Sequence, residues 1–143
     1  MKNYFLILLS CIILWGCRKK KDEPVVNHPV PSIPVEINIY PNDPLNFKIQ
    51  AIGGWMYFAG GIRGIIVCRK SNEEFVAIER TSSQLPNSDE ARVMVLSDNF
   101  TLRDSISGSE WQIFDGAVTK GPAEWPLRIY GSSYNGNLLR IRN

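Results

Sequence analysis

Residues 60–82, GGIRGIIVCRKSNEEFVAIERTS, contain two short apolar runs separated by a polar segment. The runs, I-I-V-C at 65–68 and F-V-A-I at 75–78, consist mainly of β-branched and aromatic residues, which favour strands. Ser71 and Asn72, which lie between the runs, are typical turn residues. The segment therefore predicts two strands, 64–69 and 75–80, joined by a turn.

The same pattern continues in both directions along the chain. No segment keeps apolar residues at helical spacing for several turns, and Asn135-Gly136 is the strongest hairpin-turn signal. We therefore predict an all-β domain over residues 45–143, a small antiparallel sandwich or barrel of about nine to ten strands. The further candidate strands are 35–40, which we expect to dock on the edge of the domain, 46–49, 55–59, 92–95, 101–103, 111–114, 127–130 and 138–142.

The amino end has the features of an export signal. Lys2 precedes a nearly unbroken apolar run at 4–15, which has the size of a signal-peptide core and is too short to cross a bilayer. The run ends in L-W-G-C at 14–17, which resembles the lipobox of bacterial lipoproteins, although Trp15 departs from the usual pattern. The alternative, a buried apolar helix with an ordinary cysteine, fits the basic residues on both sides of the run less well.

The lipobox resemblance implies that residues 1–16 are a signal peptide and that Cys17 carries the lipid anchor. Residues 17–44 then form a tether, charged at 18–23 and containing six of the nine prolines, which make a semi-rigid stalk. We expect a lipid-anchored protein of the bacterial cell envelope, at the outer membrane. The sequence is compatible with either the periplasmic or the surface face of that membrane. The charged run resembles a surface-export signal, and a plain solvated spacer explains it equally well. His28 lies in the stalk, where we expect it to be solvated and to bind no metal.

The charge distribution argues against nucleic-acid binding. The whole chain has a formal net charge of +2. Five of the 16 Lys and Arg residues but only two of the 14 acids precede Pro24, so the chain from Pro24 onward carries a net charge of −1. A nucleic-acid-binding domain would carry a clustered cationic face. We therefore expect no nucleic-acid partner.

Three segments of the domain resemble a Rieske-type domain, in particular the Rieske-like lipoproteins with the same order of lipobox, stalk and domain. Residues 60–82 match the hairpin that precedes the first cluster-binding loop, and DSISGSEWQIFDGAV at 104–118 is similar to the second cluster-binding loop and its following strand. GPAEWPL at 121–127 is similar to the Gly-Pro segment that closes the second loop. The resemblance implies a Rieske fold with three antiparallel sheets.

The cluster ligands of the family are absent from the corresponding positions. A Rieske centre is a [2Fe–2S] cluster held by two cysteines and two histidines. Carried over from the family pattern, the ligand positions fall on Ser82 and Gln84 in the first loop and on Asp104 and Ser107 in the second. Residues 45–143 contain one cysteine, Cys68, and no histidine, so no shift of the alignment restores the ligands. We therefore predict a degenerate domain with no cluster, no other cofactor and no metal.

The scarcity of cysteine and histidine also excludes the common catalytic mechanisms. Nucleophilic catalysis by Ser-His-Asp or Cys-His needs an imidazole base, and zinc sites need several Cys and His ligands. Cys68 is therefore expected to be a small buried apolar residue. The carboxylates are scattered or adjacent in pairs, and adjacent acids on a strand or turn point apart. We predict that the protein is not an enzyme.

A non-catalytic binding or assembly module is the function that we expect, with an envelope protein or a glycan as partner. One alternative is an electron-transfer or accessory Rieske-type subunit of a redox complex that borrows ligands from a partner chain. Another is a surface glycan-binding protein that uses Trp55, Tyr57 and Trp125 as exposed aromatic residues. The competing interpretation of these residues is a role in the core or in sheet packing. The polar loops 82–91 and 103–109, expected at the tip of the domain, either bind a partner or merely hold each other together.

Two further residues carry specific expectations. Asp104-Ser105-Ile106 resembles the short acceptor motif for O-glycosylation of exported proteins in some Gram-negative bacteria, which makes Ser105 a candidate glycosylation site. Trp111 replaces the inner aromatic residue of the family pattern, and we expect it in the core.

Overall fold

The computed structural model describes residues 27–143, and within this part of the chain nearly all regular structure is β. The predicted signal peptide and the lipidation site Cys17 lie outside the described residues. No helix within residues 27–143 is long and apolar enough to cross a membrane. The strands are β1 Glu36–Ile39, β2 Trp55–Phe58, β3 Ile65–Arg69, β4 Phe75–Glu79, β5 Met94–Val95, β6 Thr101–Arg103, β7 Glu110–Gln112, β8 Val118–Lys120, β9 Ile129–Tyr134 and β10 Leu139–Arg142.

The strands form two antiparallel sheets. The larger has six strands in the order β1-β10-β9-β4-β3-β2, and the smaller has four in the order β5-β6-β7-β8. The larger sheet is curled, because only the pairs Ala77↔Tyr130 and Ile78↔Ile129 join its two three-stranded parts. Strand pairing thus gives two sheets, whereas the resemblance implied three. The all-β class and the strand number agree with the prediction, and β1 lies at the sheet edge as expected.

The central strands β3 and β4 are buried on both faces, so they read as continuous apolar runs. Ile65 and Val67 of β3 face one core, which also contains Tyr130 and Ile141. The alternate side chains of β3 face a second core against the four-stranded sheet, built mainly from Ile66, Cys68, Leu102, Trp111 and Ile113. Each strand of this hairpin therefore contributes to two cores, which explains why the segment 60–82 dominates the sequence pattern.

Two elements differ in kind from the predicted ones, and two predicted strands, 111–114 and 127–130, are shifted to Glu110–Gln112 and Ile129–Tyr134. Residues 46–49, predicted as a strand, belong to a 3₁₀ helix, Pro44–Ile49. Asp43 accepts a hydrogen bond from Leu45 N at 2.8 Å, and Pro44 fits the first helical position, so local capping overrides the strand propensity. Strand β8 was not predicted, because its side chains are largely exposed and its position depends on pairing with β7.

Part of the predicted stalk is packed against the folded domain. Val30 is fully buried, and its carbonyl oxygen accepts a hydrogen bond from Arg128 Nε at 2.8 Å. His28, expected to be solvated, is half-buried, and its Nε2 lies 3.0 Å from the carbonyl oxygen of Pro126. Its Nδ1 lies 3.1 Å from Val30 N, so the tautomer with the proton on Nε2 satisfies both contacts. The ring of His28 also meets Trp125 edge-on at 5.9 Å.

Candidate functional site

The two loops that carry Ser82, Gln84, Asp104 and Ser107, the positions to which the resemblance assigns the cluster ligands, leave the same end of the four-stranded sheet. The first loop precedes β5 and the second joins β6 to β7. Since Met94 at the start of β5 pairs with Arg103 at the end of β6, the loops are neighbours. Within residues 27–143, however, no hydrogen bond joins a side chain of loop 82–91 to one of loop 103–109.

Ser82 in the first loop is fully buried and serves its own loop. Its Oγ accepts hydrogen bonds from the backbone N–H groups of Gln84 and Leu85, both at 3.3 Å. This is a local side-chain-to-backbone turn of the kind that serine commonly forms. Gln84 is half-buried. The hydroxyl at the first ligand position is therefore already used to hold the loop backbone.

Asp104 in the second loop is also fully buried and already hydrogen-bonded. Its Oδ1 accepts from Ile106 N and its Oδ2 from the hydroxyl of Ser107, each at 2.8 Å. The Ser107 hydroxyl in turn lies 3.0 Å from Ser109 Oγ. Of the two roles open for these polar side chains, the geometry favours internal support of the loop for Asp104 and Ser107, as it does for Ser82.

The segment 121–127 connects the two loops. The carbonyl oxygen of Trp125 accepts from Ser83 Oγ of the first loop at 2.7 Å and from Trp111 Nε1 at 3.1 Å. Ala123 N donates to Ser109 Oγ of the second loop at 3.0 Å. Trp111 itself is fully buried, so its predicted core position is confirmed. Segment 121–127 thus holds the two loops together.

The residues at this end do not fit an iron–sulfur cluster. The four positions present two hydroxyls, an amide and a carboxylate, whereas iron in a sulfide cluster requires thiolate or imidazole ligands. Ser82 and Asp104 already hydrogen-bond within their own loops. Within residues 27–143, His, Cys, Asp and Glu side chains form no group of three or more that could hold a metal ion.

Cys68 is buried in β3, as the sequence predicts, and packs in the second core. Burial raises its pKa from the ordinary value of 9.0 to about 11. Thiolate, the reactive form of cysteine, is therefore scarce in the folded protein at neutral pH.

We expect Cys68 to resist alkylation by iodoacetamide at pH 8 in the native protein and to react fully in denaturant. Between pH 9.0 and about 11 the unfolded thiol loses its proton while the folded thiol keeps it, so stability falls as the pH rises through this window. Mass spectrometry before and after denaturation measures the labelling. Rapid labelling of Cys68 in the native state would contradict its assignment as an inert core residue.

Glu79 is a buried carboxylate whose role the sequence analysis missed. It accepts five hydrogen bonds, from Ile62 N, Arg63 N, Thr81 N, the Thr81 hydroxyl and the Tyr130 hydroxyl, the last at 2.6 Å. Burial and the bond to Glu79 raise the pKa of Tyr130 well above its usual range. A lone acid at the end of the apolar run F-V-A-I-E is the sequence signal that indicates such a group. Because both carboxylate oxygens accept hydrogen bonds, Glu79 links the turn before β3 to strands β4 and β9.

The three aromatic residues proposed for glycan contact occupy different surroundings. Tyr57 is exposed, with the Arg80 guanidinium 3.8 Å above its ring. Trp55 is half-buried and donates from Nε1 to Asn99 Oδ1 at 3.0 Å. Trp125, also half-buried, packs with His28 at the loop end. Trp55 and Trp125 therefore belong to separate surfaces.

Ser105 lies at the exposed turn of the second loop, between buried Asp104 and Ile106, which is 54% exposed. Its O-glycosylation remains a prediction. Comparison with family models, with curated proteins and with solved structures finds no match to this chain.

Proposed function

We propose that the protein is a lipid-anchored lipoprotein of the bacterial cell envelope whose folded part is a Rieske-like domain without a cluster. Its role is that of a non-catalytic binding or assembly module. The L-W-G-C sequence at 14–17, after an apolar run of signal-peptide size, supports the anchor on Cys17. The −1 charge from Pro24 onward supports a partner other than nucleic acid.

The observation that carries the proposal is the state of the four former ligand positions. Ser82 and Asp104 are fully buried and hydrogen-bonded within their own loops, and Ser107 bonds to Asp104. A cluster-binding tip would instead direct thiolate and imidazole groups toward a common point. These loops are built as internally supported structure, which leaves surface recognition as the role of the domain.

The anchor predicts a specific effect of Cys17→Ser. The wild-type chain should fractionate with membranes and carry acyl groups on a mature amino terminus at Cys17, because several acyl chains anchor a protein stably. Cys17→Ser should abolish acylation and cleavage at this site. Mass spectrometry of the amino-terminal peptide measures both, and Cys11→Ser, in the middle of the apolar run, is the matched control. An uncleaved, unacylated wild-type chain would contradict the anchor.

A further inference from the structure

A groove lies between the 3₁₀ helix, the start of β2 and the β5–β6 turn. Its volume is about 470 Å³. We call it the Trp55 groove, and its lining residues are Lys48, Ile52, Gly53, Gly54, Trp55, Asn99 and Phe100. Ile52 and Phe100 are 59% and 53% exposed, so apolar and aromatic side chains stand open to a ligand.

The polar rim of the groove is fixed by Asn99. This residue has a positive φ of 62°, a conformation that asparagine tolerates better than most residues. Its Oδ1 accepts the indole N–H of Trp55, so its Nδ2 faces away from that bond. Within residues 27–143 Nδ2 donates to no acceptor, and its two hydrogens are available to a ligand.

The aromatic wall at Phe100 is held by the turn that precedes it. Asp98 accepts hydrogen bonds from the Thr101 hydroxyl and, at 2.9 Å each, from Thr101 N and Phe100 N, and these bonds, the hydroxyl's first, lower the pKa of Asp98. The Phe100 ring also rests against Phe114 at 5.9 Å. Across the groove, a side chain added to Gly53 would meet no atom within 4 Å, so this position borders open space. The groove is therefore preformed rather than closed by its own side chains.

Among the described residues that line the groove, Lys48 is the charged one. Lys48 is exposed and takes part in none of the three salt bridges found within residues 27–143. No acid lines the groove, and the nearby Asp98 carboxylate is used within its own turn. A fitting ligand has an apolar face for Trp55 and Phe100, acceptor groups for Asn99 and a negative charge for Lys48.

We propose that the Trp55 groove binds an acidic saccharide. A sugar ring presents C–H groups on its face and hydroxyls on its edge, which match an aromatic wall beside an amide, and a carboxylate, sulfate or phosphate substituent pairs with Lys48. This inference specifies the ligand class of the proposed binding module and rests on that function. It also assigns glycan contact to Trp55 and not to Trp125, whose ring packs with His28.

The test is a glycan array probed with the full acylated chain in detergent micelles. The array carries neutral saccharides beside counterparts bearing uronate, sialate, sulfate or phosphate groups. We expect binding to acidic members only, with the affinity lowered about tenfold or more by Trp55→Ala or Phe100→Ser and lost in Lys48→Glu. Phe100 and Lys48 are exposed, so these two variants keep the test valid if Trp55→Ala fails to fold.

The controls match each variant in type and exposure. Trp125→Ala, Met94→Ser and Arg140→Glu should keep the affinity within about twofold of the wild type. Three results would overturn the inference: no binding to any acidic saccharide, equal binding to neutral ones, or binding that survives all three groove variants. Binding of the unacylated chain to anionic vesicles in place of saccharides, if it is lost in Lys48→Glu and Phe100→Ser, would assign the groove to a membrane surface instead; the basic run at 18–21 is the same in these variants and the wild type. Acylation of Cys17 is measured separately, so failure of the groove leaves the anchor intact.

Discussion

Replacing Glu79 by glutamine should lower the free energy of unfolding by about 2–4 kcal/mol, since each buried polar group left unsatisfied costs about 1–3 kcal/mol. The carboxylate accepts from five donors on three segments. A glutamine of the same shape replaces one acceptor oxygen by an NH₂ group. Whichever way the amide turns, it faces at least one backbone N–H, either of Ile62 or of Arg63 and Thr81.

Thermal unfolding followed by circular dichroism measures this effect. We expect the midpoint to fall by about 8–30 °C, given about 4–8 °C per kcal/mol for a domain of this size. Glu74→Gln is the control, because Glu74 is exposed and should change stability by less than about 0.5 kcal/mol. Gly61→Ala tests the same hydrogen-bonded link independently. A methyl group at Gly61, where φ is +64°, would overlap Glu79 Oε2. An E79Q protein as stable as the wild type would show that the hydrogen bonds of the Glu79 carboxylate do not stabilise the fold.

Strand pattern and buried core were predictable because they depend on local apolar periodicity. The β3–β4 hairpin, the edge position of β1 and the core position of Cys68 follow from runs of β-branched and aromatic residues, whereas the core position of Trp111 was expected from the family resemblance. The 3₁₀ helix was not predicted, because Asp43-Pro44 acts through capping, which competes with the strand propensity of Phe47 and Ile49.

The sequence pattern did not predict the long-range polar contacts. The carbonyl partner of His28 belongs to Pro126, 98 residues away, and no periodicity in a proline-rich segment indicates such a contact. The sequence shows that Ser82 and Asp104 occupy the loop positions. It does not show that both side chains are buried or that each forms hydrogen bonds within its own loop. Residue types show which chemistry is missing, and only the fold shows what the replacements do.

The proposed loss of the cluster ligands gives the loop residues another role. Where thiolates and imidazoles would hold iron, Ser82 and Asp104 instead satisfy backbone N–H groups of Leu85 and Ile106. Buried hydrogen bonds of this kind hold the backbone of each loop. Under the proposed function, recognition takes place on another surface, and we assign it to the Trp55 groove, where Lys48 offers a cation and Asn99 an amide.

The most direct measurement is the iron and acid-labile sulfide content of the full chain purified from membranes of cells that assemble iron–sulfur clusters. We expect a colourless protein with less than about 0.1 iron per chain and no paramagnetic signal after reduction, because no thiolate–imidazole set exists to hold the metal. A well-characterised Rieske protein purified in parallel is the positive control. About two irons and two sulfides per chain, with the paramagnetic signal of a reduced cluster, would contradict the absence of a cluster.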